Sequence, residues 1–198
     1  KALKRRSSVA YKPVGAGIEV ESLITEKISS IESPPLAKMI RFALLYSNNV
    51  LSQRLAMLAA RKNGYPVTED GLNEMIKSKV AEIGVDTAGV RLVDGSGLSK
   101  NNKVPAKSVA QLLLKIKSDV RLKPIYDHLP VSGESGTLAS RFLETAPQAV
   151  GLVRAKTGSI KGTVSLAGFA TSGEKEYVFV VLADEVGRTK RLQDAARR

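Results

Sequence analysis

An α+β layered domain, with helices packed on an antiparallel sheet, is the architecture this 198-residue sequence predicts, and three observations carry it. Apolar residues recur at helical spacing from Leu36 to Ile116. Strand-like apolar runs then occupy 152–156, 164–171 and 177–183, the last two joined by the turn tetrapeptide Ser172-Gly173-Glu174-Lys175. Hydrophobic residues make up 43% of the chain and charged residues 25%, enough apolar material for a packed core. Helices first and an antiparallel meander second stack into two layers.

Element by element, residues 1–32 carry short apolar stretches (Val9-Ala10-Tyr11, Gly17-Ile18-Glu19-Val20) cut by glycine and proline. They read as one or two strands leading in from a region upstream, with the domain itself in 33–198. Ser33-Pro34-Pro35 is helix-start chemistry, with Ser33 as the expected cap and Leu36, Met39, Ile40, Ala43 and Leu44 as the apolar face of a helix ending near Tyr46. Ser47-Asn48-Asn49 interrupts the pattern. A second helix follows with Leu51, Leu55, Leu58 and Ala59 on one face and Gly64 as its stop, and Thr68 caps a third that ends at Gly84. Val90-Arg91-Leu92-Val93 alternates like a short strand before the turn Asp94-Gly95-Ser96-Gly97. Pro105 opens a fourth helix bearing Val109, Leu112, Leu113 and Ile116. The stretch 121–150 is mixed, and a final basic helix is expected from about Val186.

Composition removes whole classes of chemistry. There is no cysteine, so disulfides, Cys-ligated metals and thiol catalysis are excluded. His128 is the single histidine, which leaves no multi-His metal site. The longest apolar run, 177–183, is far short of the ~20 residues of a membrane helix. Lys1-Ala2-Leu3-Lys4-Arg5-Arg6 resembles the basic start of a signal peptide, yet no apolar stretch follows it, so an export signal is expected either further upstream or not at all. The net charge of +12 favours polyanions such as nucleic acid, anionic lipid or cell-wall polymer. Aromatic residues are only 5%, tryptophan is absent and no helix clusters arginine, which argues against nucleic acid.

Two short motifs carry candidate chemistry. Lys156-Thr157-Gly158-Ser159 on a strand presents an ammonium, a hydroxyl and bare backbone in sequence, and the Ser159 N–H can donate to an oxyanion. Ser47 and Asn49, at a junction of two apolar helices, offer a hydroxyl for proton relay and an amide for a substrate carbonyl, although Ser and Asn there also serve as helix caps. Neither motif is specific alone. A Ser-x-Asn followed at long interval by Lys-Thr-Gly is the second and third motif set of the penicillin-recognising serine enzymes.

The order of further motifs sharpens this. Ser33-Pro34-Pro35-Leu36, Ser47-Asn48-Asn49, Asp94-Gly95-Ser96-Gly97-Leu98-Ser99, Leu129-Pro130-Val131-Ser132-Gly133 with Gly136-Thr137-Leu138, and Arg154-Ala155-Lys156-Thr157-Gly158 follow one another along the chain. In these the sequence resembles the D-alanyl-D-alanine carboxypeptidase/endopeptidase family, the low-molecular-mass class C penicillin-binding proteins, over 33–184. The resemblance implies the C-terminal portion of a serine β-lactamase/DD-peptidase-like fold. It implies Ser47 as proton relay, Asn49 on a substrate amide carbonyl, and Lys156 as positive charge for the relay and the substrate carboxylate. Thr157 and Ser159 would bind the terminal D-alanine carboxylate, with Gly158 between them. The implied partners are a peptidoglycan stem peptide ending in D-Ala-D-Ala and β-lactam antibiotics, the implied acyl-transfer chemistry needs no metal or organic cofactor, and the implied location is extracytoplasmic, in the periplasm or cell wall of a bacterium.

One motif is missing. The family's nucleophile lies in a Ser-x-x-Lys on a helix, and the only such spacing here is Ser172-Gly173-Glu174-Lys175, in the expected hairpin turn. The expected partner is therefore an N-terminal half of the same protein carrying the nucleophile, and this chain alone is expected to be inactive. The alternative is a catalytically inert cell-wall (peptidoglycan) binding module. Where the family often has Ala-Glu after the Ser-x-Asn, this chain has Ser52-Gln53, so no acid role falls there. Asp94 and Ser96 are read equally as cleft-lining or turn residues, Glu134 as an exposed loop residue, and His128 as structural or surface.

Overall fold

The computed structural model describes residues 32–187. The expected strands of 1–32 and the expected basic helix after Val186 lie outside, or all but outside, those residues. Among the described residues five α-helices precede three strands: α1 (Leu36–Tyr46), α2 (Asn49–Lys62), α3 (Glu69–Glu82), α4 (Ala106–Ser118), α5 (Lys123–Asp127), β1 (Val153–Ile160), β2 (Thr163–Ser172) and β3 (Lys175–Ala183). No helix among the described residues is long and apolar enough to cross a membrane.

Helix starts follow local chemistry. Asn48 Oδ1 accepts the Leu51 N–H at 2.9 Å to cap α2, and Thr68 Oγ1 accepts the Gly71 N–H at 3.1 Å to cap α3. The expected Ser33 cap is not used. Helix α1 begins at Leu36 with Pro35 in the cap position and no side-chain cap, because a residue before proline is held extended and the Pro34-Pro35 pair delays the first turn. Helix α2 packs on α3 through Ala60, Leu72 and Met75.

The expected strand at 90–93 does not form. Only an isolated antiparallel bridge, Arg91 to Lys103, is present. Side-chain amides take the N–H groups that a neighbouring strand would have used: Asn73 Oδ1 accepts from Leu92 and Asn102 Oδ1 from Val93, at 2.9 and 2.8 Å.

Among the described residues the sheet has order β1-β2-β3, all antiparallel, which leaves the outer side of β1 without a strand neighbour. Strand β1 runs to Ile160 rather than stopping at Lys156, because the pairing with β2 continues to Ile160–Thr163 and the chain turns at Lys161 and Gly162, the latter at φ +90°. The hairpin between β2 and β3 turns at Gly173, φ +58°, a first central position whose positive φ glycine adopts without strain. Phe169 on β2, with Leu113 and Ile116 of α4 and Leu129, makes the main core between sheet and helices. Tyr126 of α5 meets Phe169 edge-on at 4.9 Å and donates to Glu176, which pairs with Lys117 of α4 at 2.7 Å. Helix α5 and this polar lock tie the helical layer to the strands beside the Lys156 position.

Candidate active site

Two pieces of backbone, each shaped for local reasons, meet at one place. At the α1–α2 corner Ser47 ends α1 in the left-handed region, φ 52° and ψ 48°, a conformation costly for a residue with a side chain and often found at functional sites. The next residue caps α2, so the turn between the helices is confined to Ser47 and Asn48. Asn49 is the first residue of α2 and half-buried, and no side-chain hydrogen bond holds its amide among the described residues.

Strand β1 supplies the other half. Its register sets Arg154 opposite Phe169 and Lys156 opposite Ala167, so alternation puts Lys156 on the sheet face that packs against the helices. From there Lys156 Nζ donates to Ser47 Oγ at 2.9 Å, across 109 residues of sequence, and to the Thr157 carbonyl at 2.8 Å. Burial lowers the Lys156 pKa from the usual 10.5. No carboxylate pairs with it among the described residues, so an unneutralised ammonium faces a serine hydroxyl, a couple able to pass a proton.

The segment 129–138 joins these halves. Ala155 N–H donates to the Pro130 carbonyl at 2.9 Å and Ser132 N–H to the Val153 carbonyl at 2.8 Å, so this segment pairs with the start of β1 along its outer edge. Ser132 is wholly buried, its hydroxyl donating to the Ala149 carbonyl and accepting from the Val153 N–H. Since the Ala155 N–H points outward, a period of two turns the Thr157 and Ser159 N–H groups to the same outer edge, past the end of the paired segment. Gly136, at φ +55°, lies so close to α1 that a Cβ would sit 2.5 Å from the Leu45 carbonyl oxygen. Next to it, Thr137 Oγ1 meets Thr157 Oγ1 at 2.9 Å.

Of the residues singled out from sequence, Ser47, Lys156 and Thr157 thus come together. Asn49 follows one residue after the corner, and Ser159 is exposed at the outer edge. Gly158 backs onto β2, where a Cβ would fall 2.2 Å from Ser165 Oγ. Thr137 received no role from sequence, although Gly136-Thr137-Leu138 stood in the motif series; nothing local marks a threonine that meets its partner 20 residues away.

The remaining candidates fall to structural positions. Ser172 and Lys175 face each other across the β2–β3 turn and no helix carries them. Gln53 Oε1 accepts the Gly95 N–H at 2.7 Å, fixing the glycine-rich loop to α2. Asp94 organises that loop: its carboxylate accepts N–H groups from Ser96, Gly97 and Ser99, the Ser96 hydroxyl and the Asn102 amide. Burial pushes its pKa up, and these donors outweigh burial, so the carboxyl ends below its usual 3.8. A folded pKa below the unfolded one adds stability present above pH 3.8 and lost as pH falls through the folded value. Asp94→Asn is expected to cost about 2 kcal/mol at pH 7, the scale of hydrogen bonds to a charged group. Urea unfolding at pH 7 and pH 3 checks this, with the gap between wild type and variant narrowing at the lower pH.

Residues 17–197 match the D-Ala-D-Ala carboxypeptidase 3 (S13) family. The chain belongs to this family. Carboxypeptidase DacB of Mycolicibacterium smegmatis is 34% identical over 169 residues, covering 83% of this chain and 37% of that protein. The D-alanyl-D-alanine carboxypeptidase of an Actinomadura species is 33% identical over 171 residues, covering 84% of this chain and 31% of its own length. Penicillin binding protein 4 (dacB) of Haemophilus influenzae, solved in complex with a β-lactam, superposes with a TM-score of 0.74 at 27% identity, over 82% of this chain and 39% of that one. The α+β penicillin-binding fold expected from sequence is the fold found. The chain spans 31–39% of the length of these S13-family relatives.

Proposed function

We propose that this chain supplies the Ser-x-Asn and Lys-Thr-Gly portion of a serine D-Ala-D-Ala carboxypeptidase/endopeptidase acting on peptidoglycan stem peptides outside the cytoplasmic membrane. The observation that carries the reading is the 2.9 Å hydrogen bond from Lys156 to Ser47, which unites the two motifs that the S13 family assignment makes meaningful.

The nucleophilic serine and its lysine belong to a segment outside these 198 residues. The serine oxygen attacks the carbonyl carbon of the penultimate D-alanine, its proton passing to the partner lysine. The C–N bond to the last D-alanine breaks, and the leaving nitrogen takes a proton relayed through Ser47, beside Lys156. Water then attacks the acyl-enzyme ester and frees the serine. Asn49 holds the carbonyl of the amide before the scissile bond. The Ser159 N–H is half of the oxyanion hole, a donor whose loss typically costs ~3 kcal/mol of transition-state stabilisation. Thr157 and Ser159 hydroxyls hold the terminal carboxylate with the charge of Lys156 behind them. A β-lactam presents the same amide and carboxylate, and its ring carbonyl acylates the serine.

Intact-mass spectrometry and peptide mapping of the full-length protein after benzylpenicillin test this. An adduct on a Ser-x-x-Lys serine outside the present residues is the expected result. An adduct within 1–198 would overturn the split assignment. No adduct, with retained binding to peptidoglycan, would establish the inert wall-binding module instead.

A further inference from the structure

We infer that Thr137 is a positioning residue for the substrate's terminal carboxylate, acting through Thr157. This rests on the proposed assignment of Thr157 to that carboxylate. Two hydroxyls 2.9 Å apart share one proton between them, and each brings only one. If Thr157 donates to Thr137, it turns only lone pairs toward a carboxylate, which itself only accepts. If Thr137 donates, the Thr157 proton is released toward the anion. A bound carboxylate selects the second arrangement, a chain running from Thr137 through Thr157 to the anion in which each bond polarises the next.

Thr137 is held firmly enough to impose this. The Gly133 N–H donates to the Leu138 carbonyl at 2.9 Å and the Val131 N–H to Ser135 Oγ at 3.0 Å, which closes the segment on itself. Leu138 is fully buried, and Gly136 abuts the end of α1 just before Ser47. The threonine is therefore anchored on both sides: Gly136 before it abuts α1, and its own hydroxyl meets the Lys-Thr-Gly strand at Thr157.

The test compares acylation of the full-length protein by benzylpenicillin and by its methyl ester, which lacks the anion. Wild type is expected to prefer the free acid. Thr137→Val, close to isosteric, is expected to slow reaction with the acid about tenfold, the weight of one hydrogen bond, and to leave the ester almost unchanged. Thr137→Ser, which keeps the hydroxyl, is expected to restore the preference. Equal slowing of acid and ester by Thr137→Val would mean a structural role only and overturn the inference. If Thr157→Val loses the preference while Thr137→Val keeps it, the carboxylate assignment stands and the inference about Thr137 falls alone. A wild type that does not distinguish acid from ester would overturn both.

Discussion

Replacing Lys156 with alanine in the full-length protein is expected to lower the rate of acylation by benzylpenicillin about 1000-fold, the scale on which enzymes lose a proton-relay or charge-stabilising group. The stability of the fold is expected to hold. Lys156 is a partly buried ammonium with no ion-pair partner among the described residues, and burial lowers its pKa, so its removal relieves a desolvation cost. Activity and stability should therefore part company: acylation falls while the urea midpoint stays level or rises. Lys161→Ala, at the exposed turn after β1, is the control and is expected to change neither. Near-normal acylation of Lys156→Ala would remove the Lys156–Ser47 couple from the chemistry.

Gly136→Ala is expected to produce the largest loss of stability among the single substitutions considered. The residue sits at φ +55°, where a side chain costs about 1–2 kcal/mol. Its Cβ would also fall 2.5 Å from a backbone oxygen of Leu45, so helix or loop must move, at about 1–3 kcal/mol. Together these approach about 3 kcal/mol, or about 9 °C in melting temperature for a domain of this size. Gly173→Ala separates the two causes. It has φ +58° and open space where a Cβ would sit, so it bears the conformational cost without the clash. Thermal melts of both variants give the difference directly. Because the movement forced by Gly136→Ala separates the Ser47 corner from β1, acylation should fall even below the melting range. An alanine at 136 that melts like the one at 173 would mean that the contact with α1 yields freely.

Much of the molecule was legible from its residues. Periodicity located α1 to α4 and the three strands, because burying one face of an amphipathic helix or strand leaves a local pattern. Gly64, Gly84 and Gly173 marked chain turns through φ values of +76°, +80° and +58° that only glycine adopts without strain. The motif order identified the family, since chemistry requires particular residue types whatever the surrounding chain does.

What local pattern could not supply was decided by contacts between distant residues. The alternation at 90–93 reads as a strand, but Asn73 and Asn102 satisfy its N–H groups from elsewhere and no neighbouring strand is recruited. The five-residue α5 is too short to show a period, and its place is set by Tyr126 reaching Phe169 and Glu176. Glycine and aspartate in Asp94-Gly95-Ser96-Gly97 fit a cleft or a turn equally well until five donors converge on one carboxylate. Ser47 and Lys156 were each nameable as chemistry-bearing residues. That they share a proton-sized gap, with Thr137 bracing the strand beside them, was decided by tertiary structure, because a hydrogen bond spanning 109 residues depends on the helices, loop and sheet between its partners and leaves no periodic trace in either segment.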